Sequence, residues 1–125
     1  VQVTKESFFV SIKDLKAGDK MGRLSHRMQA FVEAQGLTVI RDLCSHGVGK
    51  ELHEDPLIPN YGPENHGVTL KAGMTLAIEP MVVLGGHEIL TLDDKWTIIT
   101  RDRKWAAHYE NTILITEQGV EVLTI

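Results

Sequence analysis

One stretch, Met74-Thr75-Leu76-Ala77-Ile78-Glu79-Pro80-Met81-Val82-Val83, constrains the fold more than any other, because it is almost wholly apolar and yet carries a carboxylate. A short apolar run of this kind predicts a buried strand. A carboxylate inside it costs several kcal/mol unless it is paired, protonated or bound to a cation, or unless Glu79 faces water on a one-sided sheet. Pro80 denies the strand a ladder hydrogen bond and marks an edge or a strand end, where functional sites tend to lie.

The stretches around this run predict an α+β chain. Residues 4–15 read as a helix with Thr4 as N-cap, its stripe carried by Phe8, Ile12 and Leu15 and its end by Ala17-Gly18. Residues 20–35 read as a second helix that buries Met21, Leu24, Met28, Phe31 and Val32 and stops at Gly36. The methionines are at core spacing and are expected to be packing, not ligands. Residues 37–40 read as a short strand, and the Gly-, Pro- and Asn-rich residues 44–62 as a long irregular loop of the functional kind. Beyond the apolar run, Gly85-Gly86 predicts a hairpin turn into residues 87–90. Strands are then expected at 96–100, 105–116 and 120–123, the last after a turn at Glu117-Gln118-Gly119. Two helices followed by antiparallel hairpins is an α+β arrangement, and 125 residues suit a single domain spanning 1–125.

Composition narrows the function classes. At 42% hydrophobic and 24% charged residues the chain reads as a soluble globular protein. A net charge of -4 argues against nucleic acid as the main partner, and no apolar run approaches a membrane span. The lone Cys44 excludes an internal disulfide framework and fits a reducing cytoplasm, while six histidines tilt any metal site toward imidazole and carboxylate ligands.

Four residues carry the expected chemistry. Glu79 is one. Glu110 lies in a second apolar strand, where alternation groups it with His108 and Thr112 and sets Tyr109, Asn111 and Ile113 on the other face. His108 thus either shares a site or flanks it. His46, in Ser45-His46-Gly47-Val48-Gly49, is expected to be poorly screened, with a backbone able to pass close to something. His53 sits in Leu52-His53-Glu54-Asp55-Pro56, and a separation of 53 − 46 = 7 is not the helical pair of a zincin. Imidazole with carboxylates suits a first-row divalent ion, and carboxylates can bridge two. His26, His66 and His87 read as exposed helix or loop residues.

The motifs Ser45-His46-Gly47-Val48-Gly49, His53-Glu54-Asp55-Pro56, Ala77-Ile78-Glu79-Pro80-Met81 and Tyr109-Glu110-Asn111-Thr112-Ile113 together resemble the second half of a bacterial methionine aminopeptidase. Each is weak alone; all four, in order and at the family's spacing, are specific, and the resemblance runs from the first helix to Leu123. The glutamate separation, 110 − 79 = 31, leaves no room for the helical insertion of the family's second class, so the chain resembles the first, bacterial and organellar class. The resemblance implies half of a pita-bread fold. It implies a metalloaminopeptidase that removes the initiator methionine from nascent proteins in the cytoplasm, with the ribosome as a neighbour. His46, Glu79 and Glu110 would be metal ligands, with Glu110 bridging two ions. Glu79 would also be the general base. His53 would hydrogen-bond the scissile amide and the tetrahedral intermediate, and Trp96 would line the methionine pocket, although the sequence without the resemblance favours core packing for a Trp there.

Three features depart from the family pattern. Leu52 stands where some relatives carry Phe, and Asn111 where many carry His. The complete enzyme holds two divalent ions (Co, Mn, Fe or Zn) with two further Asp ligands and uses an additional His, all from a half that precedes the first helix seen here. None of Asp14, Asp19, Asp42, Asp55, Asp93, Asp94 and Asp102 sits at such a position. The expectation is therefore a C-terminal part of the catalytic domain that binds at most one ion weakly, is inactive alone, and pairs with the missing half or self-associates. The rival readings are a proline-specific peptidase of the same fold and a non-enzymatic binding module.

Overall fold

Residues 1–124 are described by the computed structural model, and among them two helices precede ten short strands. The helices are α1 (Gln2–Ile12) and α2 (Met21–Ala34). The strands are β1 (Thr38–Val39), β2 (Ser45–Gly47), β3 (Glu54–Ile58), β4 (Thr75–Ile78), β5 (Met81–Val83), β6 (Ile89–Thr91), β7 (Ile98–Thr100), β8 (Ala106–His108), β9 (Asn111–Ile115) and β10 (Val120–Val122). They form a five-stranded sheet in the order β10-β9-β4-β2-β3, a three-stranded sheet β1-β5-β8 and the hairpin β6-β7, with antiparallel neighbours throughout. The expected α+β arrangement is the one observed. Among the described residues no helix is long and apolar enough to cross a membrane.

The helices cover the five-stranded sheet because their stripes match its apolar face. Phe8, Ile12 and Leu15 join Met21, Leu24 and Met28 of α2 and pack on Leu76, Ile78, Ile113 and Ile115. Each such fully buried side chain contributes on the order of 1.5–3 kcal/mol. The methionines of α2 are core residues, as their spacing predicts. A smaller cluster of Val32, Val39 and Val82 ties α2 to the three-stranded sheet.

Four local expectations are corrected. Thr4 does not cap α1; the helix starts at Gln2, Thr4 is buried within it, and Ser7 Oγ donates to the Thr4 carbonyl at 2.7 Å. Residues 44–62 are not one irregular loop, since β2 and β3 pair there across a bulge at His46/Gly47. Gly85-Gly86 does not turn β5 into a hairpin. Gly86 N–H instead donates to Asp102 Oδ2 at 2.8 Å, and the real hairpin joins β6 to β7. Its turn is set by Asp94, whose carboxylate accepts from Thr97 Oγ1 and from the backbone N–H of Trp96 and Thr97. Those bonds, the Thr97 hydroxyl foremost, hold the Asp94 carboxyl below the ordinary carboxylate range.

The fourth correction creates the site. Neither apolar run is a single strand. The run 74–83 divides into β4 and β5, and the run 105–116 into β8 and β9, each pair split between two sheets. What crosses from one sheet to the other is a two-stranded ribbon, β4/β9 continuing as β5/β8. The pairing register is the same on both sides of the bend: Ile78 lies opposite Asn111, and Met81 opposite His108. Glu79 therefore falls opposite Glu110, and Pro80 opposite Tyr109, whose N–H donates to the Pro80 carbonyl at 3.2 Å.

Candidate metal centre

The bend takes Glu79 out of the ladder, so its backbone groups need other partners. Two fully buried side chains supply them. Ser45 Oγ accepts the Glu79 N–H at 2.9 Å, and Asn60 Nδ2 donates to the Glu79 carbonyl at 3.0 Å. Ser45 in turn donates to Asn60 Oδ1 at 2.8 Å, closing the network. Pro80 has no N–H to satisfy, which is why it fits the next position. Asn60 escapes sequence reasoning as a positioning residue: it is one polar residue in a Pro- and Gly-rich stretch, and its partner lies nineteen positions away. Asn60→Ala is expected to cost ~1–3 kcal/mol in urea unfolding, because it strands a buried carbonyl and a buried hydroxyl. It should also weaken divalent-ion binding, read by titration calorimetry, by ~10–100-fold.

His46 reaches the same point from β2. It pairs with Ala77 of β4 and is buried, not poorly screened as Gly47 and Gly49 suggest. The expected close backbone approach is real. A Cβ on Gly47 would lie 2.2 Å from the Asp55 carbonyl oxygen, so only glycine lets β3 close over β2 beside His46. The His46 Nδ1–H donates to the Gly47 carbonyl at 2.8 Å, which leaves the Nε2 lone pair facing Glu79 Oε1 at 2.9 Å. Two acceptors this close require a proton or a cation between them.

Glu110, opposite Glu79, completes the cluster. His46, Glu79 and Glu110 each present one donor atom, all within 4.8 Å of one another. Like charges directly opposite on paired strands repel, so this pair is a cost to the fold unless a positive partner offsets it. The donor set fits a first-row divalent cation: one imidazole fixed through its other nitrogen by a backbone carbonyl, and two carboxylates. Among the described residues this is the one group of three such donors, and none of the seven aspartates joins it.

The remaining expected residues fall at graded distances. His53 is exposed and sets its ring edge-on to His46, with centroids 4.4 Å apart. His108 lies on the same side as Glu110, with Nε2 3.1 Å from Glu79 Oε2 and 3.9 Å from Glu110 Oε2. Trp96 is 86% exposed on the β6–β7 turn, which excludes core packing within this chain. Asn111 is buried, its amide 2.8 Å from the Tyr109 hydroxyl and 2.9 Å from Thr124 Oγ1, so it pins the ribbon just past the bend. His26 and His66 are exposed, as expected; His87 is half-buried.

The chain is similar to known proteins in sequence and fold. The sequence pattern of metallopeptidase family M24 matches residues 1–117. Methionine aminopeptidase 1 of Bacillus subtilis (strain 168) is 48% identical over 124 residues, 99% of this chain and 50% of that protein. The crystal structure of methionine aminopeptidase from Thermotoga maritima superimposes with a TM-score of 0.95 at 52% identity, across 98% of this chain and 49% of that one. Prolidase from Pyrococcus furiosus superimposes less closely, with a TM-score of 0.70 at 25% identity over 99% of this chain and 31% of its own. The expected pita-bread half is thus the fold observed, and the chain spans about half the length of the curated relatives it matches.

Proposed function

Because the chain belongs to metallopeptidase family M24, we propose that residues 1–125 are the C-terminal part of a methionine aminopeptidase catalytic domain, which removes the initiator methionine from nascent proteins. The carrying observation is the convergence of His46, Glu79 and Glu110 on one point, with two carboxylates opposed across a bent ribbon. The choice of methionine over proline specificity follows the relatives: similarity to methionine aminopeptidases is far closer than to a prolidase.

In this reading His46, Glu79 and Glu110 would hold first-row divalent ions (Co, Mn, Fe or Zn), with Glu110 as the ligand common to two of them. When bound, such ions supply Lewis acidity, making water a usable nucleophile near neutral pH and polarising the amide carbonyl. Glu79 would serve as the general base for the attacking water. His53 donates a hydrogen bond to the oxygen on which charge develops. Trp96, carried on its exposed turn, lines the methionine pocket, and an apolar pocket discriminates by ~1–3 kcal/mol per methylene. The substrate is the N-terminus of a nascent chain, which places the enzyme in the cytoplasm and near the ribosome. Further donors come from a companion half, so these residues alone bind at most one ion weakly. Alone they self-associate through exposed apolar side chains such as Leu84 and Trp105.

A peptide panel tests the reading. The full-length enzyme with Mn²⁺ or Co²⁺ should release methionine from Met-Ala peptides and leave X-Pro peptides intact. Cleavage of the X-Pro set alone would make it a proline-specific peptidase; no metal-binding heat and no cleavage would make it a binding module.

A further inference from the structure

We propose that Glu54 is the positioning residue for His53: its carboxylate cinches the turn between β2 and β3 on which the His53 ring is carried. The inference rests on the metallopeptidase reading, in which His53 touches the reacting amide, and deepens it. The turn is tied at its base, where Gly47 pairs with Glu54 and the Val48 N–H donates to the Thr75 carbonyl at 3.0 Å. Beyond that base residues 49–53 are all exposed, so packing does little to fix their shape. Two hydrogen bonds shape them instead. The Gly49 N–H donates to the Glu51 carbonyl at 3.2 Å, and the Glu51 N–H donates to Glu54 Oε1 at 2.9 Å. Among the described residues, Glu54 is the one side chain that bonds the backbone of residues 49–53. Gly49 makes room for it. A Cβ there would lie 2.7 Å from Glu54 Oε2, and its next two contacts would also be atoms of that carboxylate. His53 stands directly before Glu54, with its ring edge-on to His46 at 4.4 Å between centroids. That ring is therefore placed by the turn beneath it. A displacement of about 1 Å at a reacting group can lower a rate by ~10²-fold.

The competing role is purely structural, with Glu54 stabilising the hairpin and nothing more. Variants of the full-length enzyme separate the two. Glu54→Ala should lower kcat on a Met-Ala peptide by ~10–100-fold, with KM moving less than kcat and metal content unchanged. Glu54→Gln keeps an acceptor for the Glu51 N–H and should retain most of the kcat. Gly49→Ala reaches the same carboxylate from the other side. Its methyl group displaces only the end of a flexible side chain, so this variant should fold even where Glu54→Ala does not. It should reproduce the loss of kcat and add nothing to it in the Glu54→Ala background. Amide exchange at Glu51 should accelerate in both alanine variants and not in Glu54→Gln. In the His53→Ala background neither change should lower kcat further, because no ring is left to position. Wild-type kcat in Gly49→Ala or Glu54→Ala, or a loss that persists undiminished without His53, would overturn the proposal and leave the metallopeptidase reading standing. Failure of the unmodified enzyme to release methionine would instead remove that reading together with this proposal.

Discussion

Glu79→Ala should abolish release of methionine from a Met-Ala peptide by the full-length enzyme, a loss of at least ~10³–10⁴-fold, and should lower its bound-metal content. The size of the effect follows from the two jobs one side chain holds. Its Oε1 faces His46 within the three-donor cluster, so truncation removes one of the three donors. It also removes the proposed base. The variant should still fold, because Ser45 and Asn60 grip the backbone of residue 79 and not its carboxylate. Steady-state rates and elemental analysis of the purified variant check both halves of the expectation. Retained turnover with a full complement of metal would place the base elsewhere.

His53→Ala should behave differently. The ring touches His46 edge-on but offers no atom to the three-donor cluster, so metal content should be unchanged. Loss of a donor to developing oxyanion charge should lower kcat by ~10²–10³-fold. KM should move less than kcat, since the interaction strengthens as charge develops. Loss of metal from this variant would show that His53 is a ligand and not a hydrogen-bond donor.

The donors of this centre could be read from the sequence more readily than the backbone that places them. Glu79 and Glu110 are conspicuous because charge inside an apolar run is costly, and the stripes of both helices follow a period that packing obeys. The bend was not legible. Alternating or continuous apolar patterns look the same whether a strand stays in one sheet or passes into the next, and only Pro80 hinted at the break. The opposition of Glu79 to Glu110 depends on a register between segments thirty-one positions apart, which no local pattern encodes. At His46, flanking glycine suggests openness, yet Gly47 is small so that the Asp55 backbone can close over it. Ser45 and Asn60 act through the main chain of a distant residue, and polar residues in a turn-rich stretch give no sign of that. Two adjacent glycines signal a turn more strongly than a lone aspartate does, yet the Asp94 side chain does the folding at the true hairpin.

The opposed pair at the bend has a mechanical consequence. Both carboxylates ride on the joint between two sheets, so straightening the ribbon would carry them apart together. A bound divalent ion would act as a splint across that joint, adding ~2.7 kcal/mol to folding at a hundredfold excess over its dissociation constant. Chelation should then soften the junction first, with amide exchange accelerating at Ile78 and Asn111 before it does in the helices. Metal occupancy in this architecture is a property of its stiffness as much as of its chemistry.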